Sequence, residues 1–248
     1  FEQVLKNGIS AQLEGHLEEA DRLYQQVLEK DPKNADAWHL SGALAHSRGN
    51  LVEARRKLEH ALDLEKDFPE ALNTLGNILK DQNEFTAALK AYDRAVEIGS
   101  DVGGVFANRG DVLRCIGNLD AAEADCRKAI ELDAELAAGH GNLAAVLMDR
   151  KDWEGAHLEL KKAIRLEPQE PVFSINLSRT LIKLDKAKDA LQVAETAINF
   201  CTGSADALNA LGNAHYALLD YTLAESFYRK ALLLNPEHSD AHNNLGNT

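Results

Sequence analysis

The sequence predicts an all-α solenoid of antiparallel helix pairs, on three observations. A 34-residue period runs along the chain without an insertion. Within each period apolar residues recur at spacings of three and four, which marks helices with one buried face. Fixed positions of every period are small, as close helix crossings require. Gly8, Gly42, Gly76, Gly110, Gly212 and Gly246 set the register, with Ala144 and Ser178 at the two remaining steps.

The repeats follow in order. The first, 1–34, carries Gly8, Leu17, Ala20, Tyr24 and Val27, with Gly15 between its helices as a left-handed helix terminator. The second, 35–68, matches it with Trp38, Gly42, Gly49, Leu51, Ala54, Leu58 and Ala61. The third, 69–102, opens on Pro69, which a helix accepts at its first position. Leu72, Leu75, Ile78 and Leu79 mark its first helix, and Asp81-Gln82-Asn83 breaks it. Phe85, Ala88, Leu89, Tyr92, Ala95, Val96 and Ile98 mark its second.

The fourth repeat, 103–136, is the irregular one. Gly103-Gly104 weakens its helix start, and Arg109 stands where other repeats have leucine. A charge there needs a partner, and Asp111 and Asp81 are the candidates. The junction of the third and fourth repeats is therefore the expected hinge. Gly117 separates the two helices, and Cys126 falls at a packing position as a small buried hydrophobe. The fifth repeat, 137–170, carries Leu143, Ala144, Trp153, Ala156, Leu160 and Ala163. The sixth, 171–204, opens on Pro171 and carries Leu177, Ser178, Ala190 and Ala197. The seventh, 205–238, carries Leu211, Gly212, Tyr221, Ala224, Tyr228, Ala231 and Pro236, and 239–248 begins an eighth. The whole chain, 1–248, reads as one array. No helix pair buries its apolar face alone, so stability comes from stacking.

Composition narrows the function. With 45% hydrophobic residues the chain is too apolar for disorder, and no run is long enough to span a membrane. A net charge of −13 disfavours nucleic acid and anionic membranes. Cys115, Cys126 and Cys201 lack paired spacing, which fits a reducing, cytoplasmic setting. The chain starts at Phe1, has Met148 as its only methionine and stops inside a repeat, so it reads as part of a longer protein. His39 and His46 share one helix face with Asp36 a turn before, a weak metal-binding or pH-sensitive pattern. Zinc spacing, a phosphate loop and a nucleophile motif are all missing, so neither catalysis nor a metal or other cofactor is expected.

These residues resemble the tetratricopeptide repeat family: Trp38, Gly42, Ala54 and Ala61 in the second repeat, and Leu211, Gly212, Ala224, Tyr228, Ala231 and Pro236 in the seventh. The resemblance implies a right-handed superhelix whose first helices line a concave groove that binds peptides or proteins. Positions 2, 5, 6, 9, 12 and 13 of each first helix then face the groove. The resulting expected peptide contacts are Asn73, Asn77, Asn108, Asp111, Asn142, Asn176, Arg179, Lys183, Asn209 and Asn213. An asparagine row suits an extended chain, because each amide offers both a donor and an acceptor to a peptide backbone. Asn73-Thr-Leu-Gly-Asn77 and Asn243-Asn-Leu-Gly-Asn247 are similar to segments in the repeats of O-linked N-acetylglucosamine transferases.

The carboxylate clamp of chaperone-tail receptors is not expected. It needs Lys at position 5, which here holds Leu5, His39, Asn73, Ala107, Gly141, Ile175, Asn209 and Asn243. The first three repeats should expose Glu2, Asp36, Glu70 and Asp81, whereas the sixth is the only repeat with net positive charge and turns Arg179 and Lys183 inward. A ligand basic at one end and acidic near the sixth repeat fits. The reading is a non-catalytic protein-interaction scaffold. The alternatives are a substrate-recruiting arm of a larger enzyme such as a glycosyltransferase, and a homo-oligomer formed by end-to-end stacking of uncapped ends.

Overall fold

The computed structural model describes residues 1–99 and 102–248. Among them it contains fifteen helices and no strand. An N-terminal compact unit, Phe1–Gly117, holds α1 (Glu2–Leu13), α2 (Leu17–Lys30), α3 (Ala35–Ser47), α4 (Leu51–Leu64), α5 (Pro69–Asp81), α6 (Phe85–Glu97) and α7 (Gly103–Cys115). A C-terminal compact unit, Asn118–Thr248, holds α8 (Leu119–Leu132), α9 (Ala137–Asp149), α10 (Trp153–Leu166), α11 (Pro171–Lys183), α12 (Ala187–Phe200), α13 (Ala205–Ala217), α14 (Tyr221–Leu234) and α15 (Ser239–Gly246).

Within each unit every helix packs on the next in sequence. First helices of neighbouring repeats also touch: α1 with α3, α3 with α5 and α5 with α7 in one unit, and α9 with α11, α11 with α13 and α13 with α15 in the other. Successive second helices make no such approach among the described residues. The first-helix face is therefore the inner face of each unit.

The small positions are explained by what they oppose. A β-carbon added to Gly8, Gly76 or Gly212 would collide with the ring of Tyr24, Tyr92 or Tyr228, and one on Gly42 would collide with Leu58. Those four partners are essentially fully buried. The small position is not glycine in every repeat. Ala144 accompanies Leu160, and Ser178 accompanies Ala194, with the Ser178 hydroxyl donating to the Ala190 carbonyl at 2.9 Å. Close packing leaves no slack for both members of a pair to be large.

The turn between the two helices of a repeat is equally regular. Gly15, Gly49 and Gly117 have φ near +80°, as their spacing predicts. Asn83, Lys151, Asp185 and Leu219 occupy the same step of the other repeats at φ of 61°, 64°, 59° and 65°. The hydrogen bonds explain why non-glycine residues accept this backbone. Leu219 N–H donates to Tyr216 O and Asp220 N–H to His215 O, satisfying carbonyls that end a helix, and the same pair recurs after α1, α3, α5, α9 and α11. Second helices then start on a side-chain cap in several repeats, as where Asp152 accepts from the Gly155 N–H at 3.0 Å.

Two expectations meet the fourth repeat. Arg109 pairs with neither Asp81 nor Asp111. Its guanidinium reaches back to Asp93 on α6 at 2.9 Å and lies 5.5 Å from the Phe106 ring centre. Asp81 is held by His46, and Asp111 by Lys80 and Arg114. The junction expected as a hinge runs through residues 100–101, which lie outside the described residues, and α7 starts at Gly103 beyond it. Cys126 is buried, as expected of its position.

Two outcomes test this packing. Leu219→Gly relieves a left-handed β-carbon and should stabilise the chain by about 1 kcal/mol, read as a melting temperature raised by about 2–4 °C. Gly212→Ala should cost about 1–3 kcal/mol in urea unfolding, most of it recovered in the double variant with Tyr228→Leu, which recreates the Ala144 and Leu160 pairing. Additive single effects would mean that the two positions do not share one space.

Candidate functional site

The inner faces carry the polar residues that the spacing singled out, and each unit bonds them laterally. In the N-terminal unit Asn108 Nδ2 donates to Asn73 Oδ1 at 3.1 Å, His39 Nε2 meets Thr74 Oγ1 at 3.0 Å, and His46 Nε2 meets Asp81 Oδ2 at 2.7 Å. Lys80 Nζ lies 3.1 Å from Asp111 Oδ2. In the C-terminal unit Asn244 Nδ2 donates to Asn209 Oδ1 and to Asn213 Oδ1, each at 2.9 Å. Most of these bonds join a residue to the one 35 places on, from one first helix to the next.

A second set of bonds comes through the core. The Tyr92 hydroxyl donates to Asn77 Oδ1 at 2.7 Å and the Tyr228 hydroxyl to Asn213 Oδ1 at 2.9 Å. Each tyrosine stands on a second helix with its ring buried and only its phenol reaching the inner face. Burial, with Asp111 and Asp81 adding, pushes the Tyr92 phenol far up, and burial with Tyr216 adding pushes that of Tyr228 up to about 12. Both are neutral donors at neutral pH.

The asparagine row is therefore not a uniform ladder of free amides. The acceptor oxygens of Asn73, Asn77, Asn209 and Asn213 are occupied within the protein. Asn209 is only 4% exposed and ties α13 to α15. Asp111 is held in ion pairs with Lys80 and Arg114. Asn142 is half-buried on α9. His39 and His46 do not converge on a common ligand: each bonds to the following first helix, and burial lowers the affinity of His39 for a proton. Among the described residues no group of three or more His, Cys, Asp or Glu is placed to hold a metal ion.

The face of α11 differs. Asn176, Arg179 and Lys183 stand three and four residues apart on it, and among the described residues none has a side-chain hydrogen bond or ion pair. The lateral bonding stops there for a local reason. The preceding repeat offers Gly141 where Asn209 would bond forward, and α11 itself offers Ile175. Arg179 and Lys183 open onto a 580 Å³ pocket with Asn213, Tyr216, Asp240, Asn244 and Asn247. The Asn213 oxygen already takes two donors, so its amide N–H groups and the two cations give the pocket a donor-rich wall. Asp240, exposed and without an ion pair among the described residues, is its carboxylate.

The pairs missed by sequence reading had a signal. Polar residues at position 5 of one repeat and position 6 of the next, as in Asn73 with Asn108 and Asn209 with Asn244, could have been matched across the period.

Comparison with known proteins places this geometry. Models of the tetratricopeptide repeat match residues 205–238, 23–56, 53–103 and 73–137. No protein of curated function matches the sequence. Among solved structures, the chain is similar to one in the crystal structure of the APC/C hetero-tetramer Cut9–Hcn1, with a TM-score of 0.84 and 18% identity over 94% of this chain. It spans 48% of that chain, about half its length. A tetratricopeptide repeat protein from Parabacteroides merdae is similar with a TM-score of 0.72 and 16% identity, covering 99% of this chain and 97% of that one. PilF of Pseudomonas aeruginosa follows with a TM-score of 0.70 and 21% identity, covering 86% and 97%. At these identities the likeness is one of fold.

Substitution should separate the bonded amides from the free one. Asn209→Ala strands a donor of Asn244 and should cost about 1–3 kcal/mol of stability, whereas Asn176→Ala should stay within about 0.5 kcal/mol. Denaturant titration of both variants measures the difference.

Proposed function

The chain belongs to the tetratricopeptide repeat family, and on that premise we propose that it is a non-catalytic interaction scaffold holding an extended partner segment along its first-helix face. Repeats of this family support a protein-interaction role in general. The α11 face is the observation that carries the finer reading. There Asn176, Arg179 and Lys183 present one amide and two cations with no partner among the described residues, beside a pocket wide enough for a peptide side chain.

The ligand preference follows from charge. In the C-terminal unit the cationic wall takes a carboxylate of the partner, with amide N–H groups from Asn213 and Asn247 nearby. In the N-terminal unit Glu2, Asp36, Glu70 and Asp81 are exposed, which favours basic residues there. The asparagines whose oxygens are taken offer N–H groups to the carbonyls of an extended chain rather than pairing with both of its edges. Among the described residues no helix is long and apolar enough to cross a membrane.

The test uses an unstructured peptide of glutamates spaced by glycine and serine, without large apolar residues, in a fluorescence-anisotropy titration. Arg179→Glu with Lys183→Glu should weaken binding at least about tenfold, equivalent to about 1.4 kcal/mol. Binding of a lysine-for-glutamate peptide, drawn to the acidic N-terminal unit, should not be weakened by that charge reversal. Equal affinity for the charge-reversed variant would remove α11 as the contact.

A further inference from the structure

On the opposite face of the C-terminal unit, the sixth repeat lacks a side chain that the other repeats have. Position 4 of the first helix is Val4, Trp38, Leu72, Phe106, His140 and Leu208 in the other complete repeats, but Ser174 in this one. In the second and fifth repeats the side chain at this position closes onto its own second helix and onto the loop that precedes its first helix. The Trp38 ring stands 4.5 Å from that of His60, and its indole N–H donates to Pro32 O at 2.9 Å. His140 Nδ1 meets Glu159 Oε2 at 2.6 Å, and its Nε2 lies 3.3 Å from Ala134 O.

The ring of the sixth repeat has moved one residue back. Position 3 is small in the second, third, fifth and seventh repeats, but here it is Phe173, which packs where a β-carbon on Gly141 would stand. The volume that a position 4 side chain fills elsewhere is left as an apolar slot of 310 Å³ between α10 and α12. Ser174 and Leu177 floor it, and Ile164 and Val193 wall it. Val193 occupies the step of Glu159, and Thr196 beside it the step of His60, so the slot covers the second-helix side of the site of the missing ring.

Two further observations point to an occupant. Ser174 is 3% exposed, lines the slot, and its hydroxyl has no hydrogen bond among the described residues. Lys161 and Arg165 stand one helical turn apart at the exposed rim, and neither has an ion pair among the described residues. Several second-helix cations are held by carboxylates, Arg55 by Glu59 and Glu84, Arg94 by Asp67, and Arg229 by Glu225, whereas these two stand free beside an apolar opening. Two unpaired cations on the α10 rim of an apolar slot complement an acidic partner segment locally. The slot's volume lies at the small end of ligand pockets and suits a single ring.

We propose that this slot receives one aromatic side chain of an acidic partner segment, with carboxylates on either side of the ring meeting Lys161 and Arg165. A ring anchored in a desolvated pocket with charges at its rim is the arrangement that concentrates binding energy in few residues. This second interaction surface faces away from the first-helix contacts and does not depend on them.

The probe is a fluorescein-labelled peptide, acetylated and amidated, of one tryptophan between two glutamates and two aspartates. It should bind the unaltered chain, and replacing its tryptophan by alanine should weaken binding at least tenfold. Lys161→Glu with Arg165→Glu should weaken it to a similar degree. Ser174→Phe should abolish it while raising the unfolding temperature, because the ring is restored to the place it has at Phe106. Ser174→Leu, which follows Leu72 and Leu208, gives the same test should the larger ring fail to fit. Arg179→Glu with Lys183→Glu should leave this binding within twofold. Any of three results overturns the proposal: no binding to the unaltered chain, unchanged binding to a folded Ser174 variant, or loss with the Arg179 and Lys183 pair instead.

Discussion

The fold rests on a steric agreement between two positions of each repeat. A first helix can approach its second only as closely as the sum of the side chains at their crossing allows. Gly8, Gly76 and Gly212 each meet a tyrosine ring and Gly42 meets Leu58, whereas the repeat that offers Ser178 has Ala194 at the matching step. Helix pairs with a small residue at every crossing can all approach closely, and stacked pairs then keep one register. The turn repeats with the same discipline, so the polar face inherits its spacing from the core.

The tyrosines join these two levels. Tyr92 and Tyr228 fill the space above a glycine and also place a hydroxyl against Asn77 and Asn213 on the inner face. A side chain that fixes helix spacing thereby fixes the orientation of an amide next to a ligand. In the C-terminal unit the bonds continue from Asn213 through Asn244 to Asn209, so three groups on two helices are oriented together. Preorganisation of this kind lowers the entropy lost on binding.

Much of this could be read from the residues. The period, the helix pairs, the small positions and their large partners were visible because they recur, and recurrence filters out local accident. Left-handed turns were visible at Gly15, Gly49 and Gly117 but not at Asn83, Lys151, Asp185 and Leu219, where the hydrogen bonds of the turn impose a backbone that the residue type does not announce. That Arg109 needs a partner is plain from its position, but that the partner lies on the preceding second helix is not. Position 7 looks back towards the preceding second helix, where Asp93 stands. The asparagine row was legible as a spacing, but the division between amides spent on the protein and amides left open was not. That division depends on side chains 15 to 35 residues away meeting in space. The sixth repeat departs from its neighbours at Phe173, Ser174 and Ala194, and what those departures do became visible only with the helices in place.

The absence of lateral bonding at α11 has a mechanical meaning as well. Side-chain hydrogen bonds tie α13 to α15, but among the described residues none ties α11 to α9 or to α13, and only packing resists their separation there. Apolar contacts slide, whereas directional bonds hold a register. A pull along the C-terminal unit therefore concentrates its extension beside α11, the softest coil of the spring. There a bound chain would act as the missing crosslink, and load on the unit and occupancy of its inner face would be coupled quantities.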